Sequence, residues 1–292
     1  MNNNDLVSIV MRSRNDRETI EQTLESVKAQ KYLNFELLNF DSQSSDGTLE
    51  IIKKYNKPEN IFTNDPENYV PGKVLNHAVA KCSGKYIVFL NSDATPINPY
   101  WLYSMVDPLA NANIGATFGR QSPRKDCRAL FAKDTHRAFG DGSIAANWVH
   151  FFSMANSACR KEIFDTFKFD ETLKYSEDIQ WSLRLKKAGF EIQYASNAIV
   201  RHSHNYTLKE SFRRHYGEGY AERLIFNSEE ISSNPIRYWM LPMIKEIMTD
   251  MYLGFDKGSL DACLHSIPLR FCQKYGRWRG YSRASRNAVA YA

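Results

Sequence analysis

Ligands of open α/β sheets sit beyond the carboxyl ends of the strands, so polar residues that directly follow short apolar runs are the first candidates for chemistry. Arg12, Arg14 and Asn15 follow LVSIV, Asp41 closes FELLNFD, and Asn91, Ser92 and Asp93 follow KYIVFL. A carboxylate in such a place can accept a sugar or base hydroxyl, or hold a metal that bridges two phosphates. Asp41 is equally an ordinary turn residue, and Asp46 in SSDGT fits as the N-cap of the LEIIKKY helix. Asp93 is harder to explain structurally, because it ends a strand expected at the sheet centre. Glu177 and Asp178 fall in the first turn of a helix, where the dipole favours acids by about 0.3–1 kcal/mol. A paired acid can also supply a general base.

Two further groups carry chemistry. His202 and His204 end the run AIVRHSH. If the strand persists, period two puts both rings on one face, able to ligate a divalent ion or bond a diphosphate. Arg120, Arg124, Lys125, Arg128, Lys133, His136 and Arg137 crowd one short stretch. It reads either as a solvated loop or as a mobile anion clamp over a phosphate-bearing substrate.

The elements that must position these residues follow from periodicity. LVSIVMR (6–12), FELLNFD (35–41) and KYIVFLN (85–91) are strand-like, with a short strand at 61–63. Helical spacing follows each, with Ile20, Leu24 and Val27 after the first and Val74, Leu75, Ala78 and Val79 before the third. The alternation implies a mostly parallel sheet with right-handed crossovers. Neither a Gly-x-Gly-x-x-Gly nor a Walker-type loop occurs, which argues against a dinucleotide dehydrogenase or a P-loop enzyme. Beyond 110 the pattern predicts a strand at 116–121, irregular chain over 122–150, and a helix over YSEDIQWSLRLKKAG with Ser176 as N-cap. Two strand candidates, FEIQYA and AIVRHSH, and a helix near 207–226 follow.

Charge and cysteine content set the class. The 292 residues carry 38 Lys+Arg against 33 Asp+Glu, a net +5 compatible with phosphate ligands or an anionic surface. Five scattered cysteines read as reduced thiols of a cytosolic protein. The start MNNNDLVSIV shows no signal peptide, and the longest apolar runs fall short of the about 20 residues a bilayer needs.

In order along the chain, VSIVMRSRND, NFDSQSSDGT, GKYIVFLNSDATP and SEDIQW resemble the inverting family 2 glycosyltransferases of GT-A fold. PGKVLNHAVAKCSGKYIVFL, FGRQSP, MANSACRKEIF and RHSHNYTLKESFRR are similar to the bacterial rhamnosyltransferase-like branch that builds O-antigen and capsule. The resemblance implies a nucleoside diphosphate sugar donor and a glycan or polyprenyl-diphosphate-linked acceptor, with no nucleic-acid partner. It puts Arg12, Arg14, Asn15, Asp41, Asp46, Asn91, Ser92 and Arg120 around the donor. Asp93, with His204 or His202, would hold a divalent metal, Mg2+ or Mn2+. Asp178, with Glu177 beside it, would take the acceptor proton. Asn91 departs from the family pattern, standing where the first acid of Asp-x-Asp is expected, so metal affinity is expected to be weaker. A non-catalytic nucleotide-sugar or glycan-binding module with a decayed site is the competing reading. A nucleotidyltransferase is a remoter one, for want of a Gly-rich basic loop after the first strand.

The expected organisation is a GT-A domain over 1–225 and a helical, basic region over 226–292. The latter suits packing on the domain, a homodimer contact, or a peripheral contact with the inner face of the cell membrane.

Overall fold

The computed structural model describes residues 5–144, 151–226, 234–256 and 258–288. Parts of two expected regions therefore lie outside the described residues: 145–150 of the irregular stretch, and 227–233, 257 and 289–292 of the C-terminal region. The chain divides into two compact units. The first comprises 1–126, 134–172 and 177–203; the second comprises 127–133, 173–176 and 204–292.

The first unit is an α/β layer structure. Its strands are β1 (Val7–Ser13), β2 (Phe35–Asp41), β3 (Ile61–Thr63), β4 (Tyr86–Asn91), β5 (Thr95–Pro96), β6 (Ile114–Ser122), β7 (Asn156–Arg160) and β8 (Glu191–Arg201). They form one sheet in the order β3-β2-β1-β4-β7-β6-β8-β5. β1 to β4 pair in parallel, as expected, whereas β7 runs antiparallel to both β4 and β6. The crossover helices are α1 (Arg17–Lys28), α2 (Thr48–Tyr55), α3 (Pro71–Lys81) and α4 (Trp101–Val106). α5 (Ala129–Phe139) and α6 (Glu177–Lys187) come later in the chain.

Helices cover both faces of the central strands, which is why those strands read as unbroken apolar runs. On one face Val7, Ile9 and Met11 join Val88 and Leu90 against Ile20, Leu24 and Val27 of α1. On the other, Val10, Leu38, Phe40 and Phe89 meet Val74, Leu75 and Ala78 of α3 and Trp181 and Leu185 of α6. Successive side chains of a strand alternate faces, so β1 feeds both cores at once.

Three expectations need correction. The 122–150 stretch is not irregular throughout, since α5 occupies 129–139. FEIQYA and AIVRHSH belong to one strand, β8, which pairs with β6 through two register shifts. Ser176 has φ 59°, a left-handed backbone unlike the extended conformation of an N-cap.

The second unit is helical: α7 (Leu208–Ile225), α8 (Leu241–Asp256) and α9 (Leu260–Ala288), with a π-helical turn at Ile236–Met240. Thr207 and Glu210 close a reciprocal capping box at the start of α7. α7 and α9 cross at backbone contact. A Cβ on Gly219 would lie 1.9 Å from the Arg277 carbonyl oxygen, and one on Gly280 would lie 1.9 Å from that of Tyr216. That packing is why α7 groups with the C-terminal helices in the unit that takes in 204–292. Inside the unit, Asp250 is fully buried and accepts from Arg270 Nε (2.6 Å), Arg270 Nη2 (3.1 Å), Ser266 Oγ (2.7 Å) and Lys133.

Candidate active site

At the carboxyl ends of β1, β2 and β4 the sheet opens into a cleft of about 310 Å³ lined by Arg12, Ser13, Arg14, Asp16, Ser42, Tyr69, Asn91, Ser92 and Asp93. That volume is within the roughly 300–1,000 Å³ usual for small-molecule sites. The cleft exists because β1 and β4 are parallel neighbours, so the loops that leave them diverge at the same edge.

Much of the expected donor set builds the walls. Asp41 is fully buried, its carboxylate taken by Ser13 Oγ (2.8 Å), Ser44 N (2.8 Å) and Ser44 Oγ (2.6 Å). Its bonds hold the ends of β1 and β2 together beside the cleft. Asn15 takes φ 56°, which Asn tolerates, and its Oδ1 accepts from Ser45 N at 2.9 Å. Asp46 accepts from Thr48 N (3.0 Å), Thr48 Oγ1 (2.6 Å) and Arg17 N (3.1 Å). Its slight desolvation pushes the carboxyl upward, but those bonds outweigh it and leave the pKa lowered. Asn15 and Asp46 thus tie the loop after β1 to the loop after β2 and do not line the cleft. Arg120 is also outside the lining; its charge acts on Tyr194, whose phenol is raised by burial and pulled back by that cation.

Arg12, Arg14, Asn91, Ser92 and Asp93 do meet in the cleft. Arg12 donates to Asn91 Oδ1 at 3.1 Å and stands 4.0 Å from Glu177 Oε1. Burial lowers its pKa, yet Tyr69, Glu177 and Asp178 outweigh that and raise it, so the guanidinium is a fixed cation. Asn91 therefore serves as an acceptor for Arg12, a role that a neutral amide fills without adding a second negative charge.

Asp16, the residue before α1, also lines the cleft, and the sequence did not single it out. It caps nothing through its side chain. One carboxylate oxygen instead takes Ser92 Oγ and Arg14 N (2.8 Å). Desolvation raises its pKa, the bonds from Ser92 and Arg14 oppose this, and the charges of Asp93 and Asp46 add to the rise. Asp16 thus adds a second carboxylate to the cleft beside Asp93.

His202 Nε2 lies 3.4 Å from Asp93 Oδ1, and its Nδ1 is 2.7 Å from Gln121 Oε1. Gln121 is buried and its amide nitrogen donates to Ser153 Oγ at 2.9 Å. With the amide oxygen facing Nδ1, the other ring nitrogen, Nε2, is the one turned toward Asp93. Gln121 was legible only as a letter of FGRQSP. β8 ends at Arg201, so the period-two argument for His202 and His204 fails. His204 opens the second unit, and the covalent chain alone holds its Cα within about 7 Å of that of His202. Asp93, His202 and His204 offer one oxygen and two ring nitrogens, a donor set able to hold a divalent metal ion.

The basic stretch divides. Arg124 donates to the Asp93 carbonyl, and its amide donates to Ser203 Oγ at 2.9 Å, so one cation stands at the cleft edge. Lys133 pairs with Asp250 in the second unit and is not part of an anion clamp. His136 and Arg137 lie on α5 and are exposed.

Glu177 is buried beside Arg12, whereas Asp178 is half-buried. Asp178 Oδ2 accepts from Met154 N at 3.2 Å and Oδ1 from Ile179 N at 2.8 Å. Neither acid lines the cleft itself. Both reach it electrostatically through Arg12.

A doubly covered sheet whose strand ends gather cations, an Asp–His pair and a nearby helix-borne acid defines a glycosyltransferase of GT-A type. Residues 8–167 match the domain Glycosyl transferase family 2, and the chain belongs to that family. It is similar to the O-antigen chain rhamnosyltransferase RfbN of Salmonella typhimurium, 28% identical over 94% of this chain and 95% of the relative. It is also similar to WbaN of Salmonella anatum, another O-antigen chain rhamnosyltransferase, 30% identical over 84% and 85%. Its fold resembles a mannosyltransferase from Pyrobaculum calidifontis in complex with GDP-Man and Mn2+ (TM-score 0.58, 16% identity, 98% of this chain and 75% of that one). Glucosyl-3-phosphoglycerate synthase from Mycobacterium tuberculosis, with Mn2+, UDP and phosphoglyceric acid, is similar at TM-score 0.54 and 21% identity, covering 72% and 74%.

Proposed function

We propose that this glycosyltransferase is an inverting hexosyl- or deoxyhexosyltransferase of bacterial surface polysaccharide synthesis. It moves a sugar from a nucleoside diphosphate donor to a hydroxyl of a glycan, free or carried on a polyprenyl diphosphate. The observation that carries this reading is the meeting of Arg12, Asp16, Asn91 and Asp93 in one cleft, with His202 at 3.4 Å from Asp93. The two O-antigen chain rhamnosyltransferases similar over most of the chain support the substrate class.

The nucleoside diphosphate lies against the ends of β1 and β4, its phosphates facing Arg12, Arg14 and Arg124. Asp93 and His202, joined by His204, would hold a divalent cation, Mg2+ or Mn2+. Such a cation, when bound, stabilises the charge that develops on the leaving diphosphate. Asp178 takes the proton of the acceptor hydroxyl as its oxygen bonds the anomeric carbon, while the bond to the diphosphate oxygen breaks on the opposite side. Attack from that side inverts the configuration. Met154 N fixes the Asp178 carboxylate from the backbone, and Glu177 balances Arg12. Among the described residues no helix is long and apolar enough to cross a membrane. We place the enzyme at the cytoplasmic face as a peripheral protein.

A thermal-shift panel of uridine, guanosine and thymidine diphosphate sugars, each with and without Mn2+ or Mg2+, tests the donor and the metal together. One base should raise the midpoint, more so with metal. No response to any donor sugar, with no nucleoside diphosphate released on prolonged incubation, would leave a binding module or another chemistry.

A further inference from the structure

Of the polar side chains that follow β4, Asn91 accepts from Arg12 and Ser92 donates to Asp16, while Asp93 faces His202, Oδ1 to Nε2 at 3.4 Å. That separation exceeds the 2.7–3.2 Å usual for an N–H···O bond and suits two ligands of one cation. The ring can serve such a cation only if Nε2 carries no hydrogen, because a neutral imidazole ligates through its unprotonated nitrogen. It must also be held at the right turn. The backbone fixes where the side chain begins: the His202 amide donates to Ser122 O at 2.9 Å, and the neighbouring Ser203 Oγ accepts from Arg124 N at 2.9 Å. Two side-chain torsions remain to be set.

We propose that Gln121 is a positioning residue that sets both the hydrogen and the turn of the His202 ring, and so tunes the affinity of the cleft for a divalent cation. Gln121 lies near the end of β6, paired in register with Val200 of β8. It is buried, and its Oε1 lies 2.7 Å from His202 Nδ1. With Oε1 as the acceptor, the hydrogen stays on Nδ1 and the Nε2 lone pair is left on the Asp93 side. The amide is anchored at its other end, where Gln121 Nε2 donates to Ser153 Oγ at 2.9 Å. A buried amide bonded at both ends cannot swing away without stranding a polar atom. Being neutral, it orients the ring without adding a further negative charge to a cleft that already holds Asp16 and Asp93. Ser153 precedes Met154, whose amide holds Asp178 Oδ2 at 3.2 Å, so the same anchor stands next to the backbone that fixes the acid. The proposal rests on the reading of Asp93 and His202 as metal ligands.

Titration calorimetry of the full chain with Mn2+ tests it. Gln121→Met should bind about 10–100-fold more weakly than the wild type, and Gln121→Glu, which restores an acceptor for the Nδ1 hydrogen, should return to at least the wild-type affinity. A second readout does not depend on either variant folding. In metal-free wild type under mildly alkaline conditions, long-range proton–nitrogen correlation spectra should show the His202 hydrogen on Nδ1, the signal being identified by its loss in His202→Ala. Hydrogen on Nε2 overturns the proposal. An affinity in Gln121→Glu as low as in Gln121→Met also overturns it, since the loss would then follow packing and not the acceptor. If His202→Ala loses Mn2+ while Gln121→Met binds as the wild type does, this proposal falls and the metal reading stands. If the wild type binds no Mn2+, or His202→Ala binds it equally well, the metal reading falls and this proposal with it.

Discussion

Asp250 and Asp16 are both carboxylates withdrawn from water, yet their pKa values move in opposite directions. For Asp250, burial pushes upward, but bonds from Arg270, Lys133 and Ser266 more than reverse it. For Asp16, burial pushes upward, Ser92 and Arg14 only partly oppose it, and Asp93 and Asp46 add repulsion. The helical unit satisfies its interior charge from within. In the cleft Asp16 keeps Asp93 and Asp46 as like-charged neighbours, although Arg12 and Arg14 line the same space. The same residue type is therefore satisfied by its neighbours in one unit and left under repulsion in the other.

The sharpest way to test that division is Asp178→Asn. It should lower turnover by about 10³–10⁴-fold, with donor affinity and unfolding midpoint unchanged. Unchanged turnover in a sugar-transfer assay would remove Asp178 as base. Next in size, Asp250→Ala should cost about 3–5 kcal/mol in denaturant unfolding, because it strands Arg270 in the interior. Near-neutral stability there would collapse the contrast between the units. Asp93→Ala should behave in the opposite way, lowering turnover by about 10²-fold or more while unfolding shifts by less than about 1 kcal/mol. Titration calorimetry with Mn2+ should also show loss of binding.

The smallest effect concerns pH. Asp250 has a lowered folded pKa, so its contribution is present above the unfolded value of about 3.9 and is lost as pH falls through the folded pKa. Asp16 has a raised folded pKa, so its contribution is present below the unfolded value and is lost as pH rises through the folded one. Asp16→Asn should therefore leave the protein equally or slightly more stable at neutral pH, by less than about 1 kcal/mol, with that gain shrinking on acidification. A midpoint that drops at neutral pH instead would show that Asp16 is satisfied as Asp250 is.

The parallel half of the sheet was legible because its strands are buried on both faces, and the runs of β1, β2 and β4 say so without context. Asp93 was legible for the same reason, as a polar residue just past such a run. Asp16 was not, since its partner Ser92 is 76 residues away and local pattern makes it a helix-start acid. The bonds that Asp41 and Asn15 make to Ser13, Ser44 and Ser45 were not legible, because they join loops that lie about 30 residues apart in sequence or turn within a loop. α5 was hidden because its apolar residues, Leu130 and Phe131 at one end and Ala138 and Phe139 at the other, are separated by a polar stretch rich in Lys, Asp, Thr, His and Arg. The antiparallel β7 follows from pairing with two strands far away in sequence, which no local signal encodes.

The glycine crossing of α7 and α9 limits what lengths those helices can take. With Gly219 against the Arg277 carbonyl and Gly280 against that of Tyr216, a one-residue insertion on either side would turn a helix by about 100° and bring a side chain to the contact. An insertion of about seven residues, two whole turns, restores the facing of the helix but shifts it by about 10 Å along its axis, so the glycine still leaves the crossing. Variation in the size of this unit is thus confined to its ends and to the hairpin between α8 and α9.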